Sequence, residues 1–421
     1  MTRLLAALLA SALLAGCAPT TPDPDPAPAA PPAPETTTTA SPTATTTDPP
    51  SLRDRTLLGA YYYLWNPENL AQGWLRNRLA PPQRDMQTQA EAPDGGAADD
   101  IRQAADAGID FFAVNWWPTR PEQNRRLDER LLRAPNIGDI RFCLFYETQD
   151  LNFDPRDGTT LLGPRQVERF VADVEDLATR YFDHPGYLRV DGRPVLILYL
   201  TRTLVGDVAG AVTRAREALR AKGHDVLLIG DEVFWNAARH GPRRGPTVRT
   251  PQSERAGLFD GLTAYNLYDA GRRADTGHGA TSSFLAESRA LYERYEEATG
   301  GRIPIVPGVI PGFNDRGARS RLARPVIPRQ WAPGEPEGSF LAHAVDDLAL
   351  PLVDERLPMV LVTSWNEWNE DTAVEPVAPA PPTTTDDSPS GRGFTAGHPY
   401  GGHGTAYVDV LRDRFAPPAA G

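Results

Sequence analysis

The stretch Ile109-Asp110-Phe111-Phe112-Ala113-Val114-Asn115-Trp116-Trp117 decides the architecture. Its near-continuous run of aromatic and apolar residues fits a strand buried on both faces, and it ends on an amide and two indoles. Seven more such runs follow the same pattern: Leu57 to Leu64, Ile140 to Tyr146, Val195 to Leu200, Val226 to Gly230, Phe259 to Tyr265, Ile303 to Val309 and Met359 to Trp365. Segments of helical character separate them, at Ala98 to Ala107, Glu122 to Arg133, Gln166 to Tyr181, Val208 to Lys222, Ser283 to Thr299 and Phe340 to Ala349. Buried strands alternating with helices predict a parallel sheet in the α/β class, and eight units predict its closure into a (β/α)8 TIM barrel.

An open doubly wound sheet shares that alternation, and the strand ends favour the barrel. Polar or aromatic residues follow run after run: Tyr62 and Tyr63, Asn115 with Trp116 and Trp117, Glu147, Thr201 with Arg202, Asp231 with Glu232, Tyr265 with Asn266, and Asn366 with Glu367. A barrel brings all of these to one mouth, where barrel enzymes keep their chemistry.

Three segments are expected. Residues 1–17 read as a signal peptide: one arginine, an apolar run from Leu4 to Leu14 too short to span a bilayer, and then Ala15-Gly16-Cys17. Leu14-Ala15-Gly16-Cys17 has the lipoprotein pattern, which makes Cys17 the lipidation site and an acyl chain the only membrane attachment. Residues 18–52 are almost entirely Pro, Thr, Ala, Ser and Asp, a composition for a disordered tether. Residues 53–421 form the barrel domain, expected as a monomer outside the cytoplasm and lipid-anchored to a bacterial cell membrane.

The net charge of -12 excludes nucleic acid as the natural partner. Cys143 lies inside an apolar run and reads as core packing, and Lys222 is the only lysine that could support Schiff-base chemistry. The chain has no Gly-x-Ser-x-Gly elbow, no phosphate-cradling loop and no His-Glu-x-x-His helix, so neither metal nor cofactor is expected. Aromatic rings beside carboxylates suit a saccharide, with ring faces against C–H faces and carboxylates on hydroxyls.

The strongest motif is Thr363-Ser364-Trp365-Asn366-Glu367-Trp368-Asn369-Glu370-Asp371-Thr372, directly after the eighth run. Glycoside cleavage needs one carboxyl to protonate the departing oxygen and a second as base or nucleophile. Glu367 and Glu370 are three residues apart, so their Cα atoms lie within about 10 Å and both can face one sugar.

At this motif the chain resembles glycoside hydrolase family 99, the endo-α-mannosidase type, and its bacterial relatives. Further resemblance lies in Gly59-Ala60-Tyr61-Tyr62-Tyr63, in Ala107 to Trp117, and in Tyr187-Leu188-Arg189-Val190-Asp191-Gly192-Arg193-Pro194. The resemblance implies a retaining, metal-free, endo-acting enzyme on α-mannose glycans. It implies that Glu367 is a base toward the sugar's own 2-hydroxyl and Glu370 the general acid, with Glu147 a further carboxylate on the reacting sugar. Tyr62, Tyr63, Trp116, Trp117, Tyr265, Asn366 and Trp368 complete the expected substrate contacts. Asp371 and Ala373 depart from the family pattern, and Asp371 is expected to place a third carboxylate beside the pair. The same motif occurs in proteins named for cell-surface polysaccharide biosynthesis, so a polysaccharide-modifying transferase and a non-catalytic glycan-binding lipoprotein stand as alternatives. Asn314-Asp315-Arg316 and the run Gly397 to Gly404 fit either loop caps or the mouth, and the Pro/Thr-rich segment Val377 to Gly393 reads as a mobile loop.

Overall fold

The computed structural model describes residues 55–64, 74–83, 96–156, 158–233, 252–265, 278–319 and 324–416. The signal segment with Cys17, the tether 18–52 and Asn266 lie outside the described residues.

Eight parallel strands close into a barrel, as the alternating runs predict. They are β1 (Leu57–Tyr62), β2 (Phe111–Trp116), β3 (Arg141–Tyr146), β4 (Arg193–Leu198), β5 (Leu227–Asp231), β6 (Gly261–Thr263), β7 (Ile305–Val306 and Gly308–Val309) and β8 (Met359–Val362). Each pairs with the next, and β8 returns to β1 with Met359 opposite Leu57. Pro307 splits β7: the first piece pairs with β6 and the second with β8. Proline has no N–H to give the ladder, but its carbonyl still accepts from Leu361 N at 3.0 Å.

Two glycines interrupt the apolar runs because backbone or ring approaches too closely for a side chain. A Cβ on Gly59 would meet the Phe111 ring at 2.2 Å, and one on Gly308 would meet the Ala264 carbonyl oxygen at 2.1 Å. Cys143 sits on β3 in the core, fully buried.

The outer layer contains α1 (Ala97–Asp106), α2 (Pro121–Glu129), α3 (Pro164–Leu177), α4 (Val208–Ala221), α5 (His278–Thr299), α6 (Ser339–His343) and α7 (Ala406–Phe415). Pro164 opens α3, and the Asp207 side chain caps α4 by accepting from Gly210 N at 3.0 Å. α3 and α6 continue as π-helical turns at Ala178–Phe182 and Ala344–Ala349, which together with the helices fill the predicted spans. Among the described residues no helix is long and apolar enough to cross a membrane.

After β8 the structure differs from the sequence expectation. The segment read as an irregular loop from Val377 carries a strand, Val377–Thr383, paired antiparallel with Tyr400–Gly404. The paired positions are Val377, Ala380 and Thr383, so the intervening prolines remove no ladder donor. Its partner is the glycine-rich run, where a Cβ on Gly402 would meet the Ala378 carbonyl oxygen at 2.2 Å.

Candidate active site

Side chains alternate across a strand, and that alternation sorts the strand-end residues. On β1 the outward residue is Tyr62, which stacks on Phe112 at 4.5 Å and donates its hydroxyl to Asp100 Oδ2 of α1 at 2.8 Å. On β2 it is Trp116, stacked on Tyr146 at 5.4 Å, and Tyr146 in turn donates to Asp173 of α3. Both were expected to touch substrate; the structure places them between barrel and helices. Trp368 is also a packing residue, stacked on Trp74 at 5.2 Å with its indole N–H donated to Glu375.

The inward residues build the mouth. Tyr61, Phe145, Tyr199 and Tyr265 form an interlocked aromatic floor, with neighbouring ring centroids 4.5 to 5.6 Å apart. Tyr63 reaches over that floor and donates its hydroxyl to the Tyr265 hydroxyl at 2.5 Å. Tyr199 had escaped the sequence reading because Thr201 and Arg202 were taken as the end of the fourth strand. Arg202 is buried, and bonds Asp231 Oδ2 at 2.6 Å while the other Asp231 oxygen accepts from Tyr265 N at 2.9 Å. Those two charged strand ends therefore brace the mouth from beneath.

Burial and nearby carboxyl charges act on the two tyrosines. The Tyr63 phenol is pushed up by burial, then by the charges of Glu367 and Glu147; the Tyr265 phenol is pushed up by burial, then by Tyr63, Glu370 and Glu367. All three glutamates are buried. Asn115 donates to Glu147 Oε1 at 2.5 Å and accepts from the Trp117 indole N–H, which ties β2 to β3. Burial lifts Glu147 to about 8, and the Asn115 hydrogen bond and Arg120 charge only partly oppose it. Trp117 is half-buried at the rim, with the Arg120 guanidinium 3.6 Å over its ring.

The motif after β8 is a tight loop closed on itself. Ser364 N donates to Thr372 O at 2.9 Å, Ser364 Oγ accepts from Glu367 N at 2.8 Å, and Glu367 Oε1 accepts from Asn369 N at 2.8 Å. Asn366 joins the loop to β1: its carboxamide accepts from Tyr63 N at 2.8 Å and donates to Tyr63 O at 3.0 Å. The asparagine is thus a backbone clasp that sets Tyr63.

Asp371 does not join the pair. It adopts φ +52, and its carboxylate takes Arg76 Nε at 3.2 Å and Arg329 Nε at 3.1 Å, both guanidiniums being buried. Arg329 also donates to the backbone oxygens of Asp371 and Ala373. The third carboxylate is neutralised inside the protein because two cations with no access to water need it more than the mouth does.

Glu370 has a different partner. Arg319 donates Nη2 to Glu370 Oε1 at 2.9 Å, and Asn314 N donates to the Glu370 carbonyl at 2.8 Å. Glu370 is raised by burial and opposed chiefly by Arg319; Glu367 is raised to about 8 by burial and then by the Glu370 charge. Burial and the neighbouring Glu370 charge thus favour the protonated form of Glu367, while the Arg319 guanidinium favours the ionised form of Glu370. Asn314, Asp315 and Arg316 had been left between caps and mouth; they start the segment that delivers Arg319.

The eight parallel strands make a (β/α)8 barrel with buried carboxyls at the C-terminal ends of its strands, the end where barrel enzymes keep their chemistry. Residues 98–380 match the family described as Glycosyltransferase WbsX, and the chain belongs to that family. The fold is similar to that of a "Glycoside hydrolase-like protein", with a TM-score of 0.58 and 19% identity over 86% of this chain and 94% of that one. It is also similar to the GH99 endo-alpha-mannosidase from Bacteroides thetaiotaomicron, with a TM-score of 0.52 and 18% identity over 85% and 97% of the two chains. In sequence the chain is 28% identical over 222 residues to the uncharacterized protein WxcX of Xanthomonas campestris pv. campestris. That match takes in 50% of this chain and 28% of the relative's length.

Proposed function

We propose that the protein cleaves α-mannoside-type bonds within a glycan or polysaccharide, endo-acting and with retention through the sugar's own 2-hydroxyl. The observation that carries this reading is that buried Glu367 and Glu370 share one loop, which Asn366 clasps to Tyr63, and the Tyr63 hydroxyl meets that of Tyr265. In the reaction, ionised Glu367 takes the 2-hydroxyl proton as that oxygen bonds to the anomeric carbon. The glycosidic bond breaks, and Glu370 gives its proton to the departing oxygen. Water then opens the anhydro-sugar, losing a proton to Glu370 while Glu367 returns one to the 2-oxygen. Glu147 and Trp117 bind the reacting sugar and its neighbour, over the aromatic floor.

The family description favours a second reading, a polysaccharide-modifying transferase. It needs the same residues and differs only in a sugar hydroxyl replacing water as acceptor. We place either activity outside the cytoplasm, with Cys17 acylated at the membrane and residues 18–52 as the tether.

Incubation of the full chain with α-mannose glycans, with and without acceptor sugars, tests the assignment. Shortened products are expected, and Glu370→Gln should reduce turnover by about 10²- to 10⁴-fold while binding persists. Transfer products in excess over free sugar would favour the transferase. Binding without any product from the wild type would leave only a glycan-binding lipoprotein.

A further inference from the structure

Two guanidiniums bridge two carboxyls, one of them the proposed acid Glu370. Asp315 is fully buried and takes Arg319 Nη1 and Arg324 Nη2, each at 2.5 Å. Arg319 also reaches Glu370, as above. Arg316 directs its guanidinium at the carbonyl oxygens of Arg324 and Gly393 and not at a carboxylate. Across the mouth, exposed Arg120 lies over Trp117 and acts on Glu147.

The arrangement conflicts with the chemistry assigned to Glu370. A general acid must hold a proton, and a guanidinium bonded to its oxygen favours the ionised form. Once Glu370 is protonated, Arg319 and Arg324 still share the carboxylate of Asp315. Arg319 is the member able to answer a ligand, since its side chain is 44% exposed whereas Asp315 has no exposure. A guanidinium fork matches the paired oxygens of a carboxylate, phosphate or sulfate.

We propose, resting on the reading of the pair given above, that the substrate is an acidic glycan: an anionic group on the departing sugar pairs with Arg319 and draws it off Glu370. Glu370 can then hold a proton while Glu367 ionises as the base. The side of the bond follows from the role proposed for Glu370, the carboxyl that Arg319 bonds. Arg319 is a positioning and specificity residue in this scheme, and it touches only the substituent.

Calorimetric binding to the full chain in a Glu367→Gln background, where turnover is stopped, reads the proposal. The ligands are α-mannotetraose and two counterparts with a C6 carboxylate or a C6 phosphate on the reducing-end sugar. The acidic ligands should bind about tenfold tighter at low salt, and the gap should shrink as salt rises. Arg319→Gln should bring the ratio of acidic to neutral affinity to one within that variant, while Arg319→Lys should keep part of the ratio and so controls for folding. Comparison of the two acidic arms identifies the preferred anion. Equal binding of neutral and acidic ligands, with the neutral one cleaved by the wild type, would overturn this proposal alone. A preference that survives Arg319→Gln would also overturn it. Failure of every ligand to bind would overturn the glycosidase reading with it.

Discussion

The Asn366 carboxamide closes on the backbone of Tyr63 from both sides, accepting its N–H at 2.8 Å and donating to its carbonyl at 3.0 Å. The first strand's end and the loop carrying Glu367 are thereby fixed to each other across 303 residues of chain. Tyr63, which reaches from that clasp to Tyr265, is placed by it.

Asn366→Ala should therefore act on stability and turnover together. Two buried backbone groups lose their partners, a loss of about 2–4 kcal/mol at roughly 1–2 per group. Denaturant unfolding should show the lower midpoint, and kcat should fall with the loosened tyrosine. A variant that matched the wild type in both would show that Tyr63 is positioned by other means.

The pH dependence follows from the glutamate pair. Burial holds Glu367 protonated up to about 8 and raises Glu370 as well, so kcat/KM should fall on an alkaline limb as the two carboxyls lose their protons. Arg319→Gln removes a cation that favours ionised carboxyls, so the limb should move upward. Stability should fall over the same range. Glu367 has a folded value raised above its ordinary 4.5, so its contribution is intact below that pH and is lost as pH rises through about 8. Glu367→Gln should then melt above the wild type at pH 9 and close to it at pH 4.5. Scanning calorimetry at the two pH values checks the sign.

Asp371→Asn should destabilise without retuning the pair. Arg76 and Arg329 would keep their buried charges with one carboxylate fewer, a loss of about 3–5 kcal/mol. The alkaline limb of kcat/KM should stay where it is, since the Asp371 carboxylate points into the two guanidiniums. A shifted limb would return Asp371 to the catalytic site.

The eight strands, their closure into a barrel and the pair Glu367 and Glu370 were legible in the amino-acid order, because strand period and a ten-residue motif are local signals. The direction of each ring was not. Tyr62 and Trp116 follow the same kind of run as Tyr63 and Trp117, and only the register of the barrel turns the first two toward α1 and α3. Tyr199 was hidden behind a strand end placed two residues too late.

The partners of the carboxyls were decided by tertiary structure alone. Arg319 lies 51 residues before Glu370, and Arg76 lies 295 residues before Asp371. Composition and spacing carry no record of such meetings. They arise because a charge removed from water must find its counter-charge wherever the fold brings one, and that choice gave Glu370 to Arg319 and Asp371 to Arg76 and Arg329.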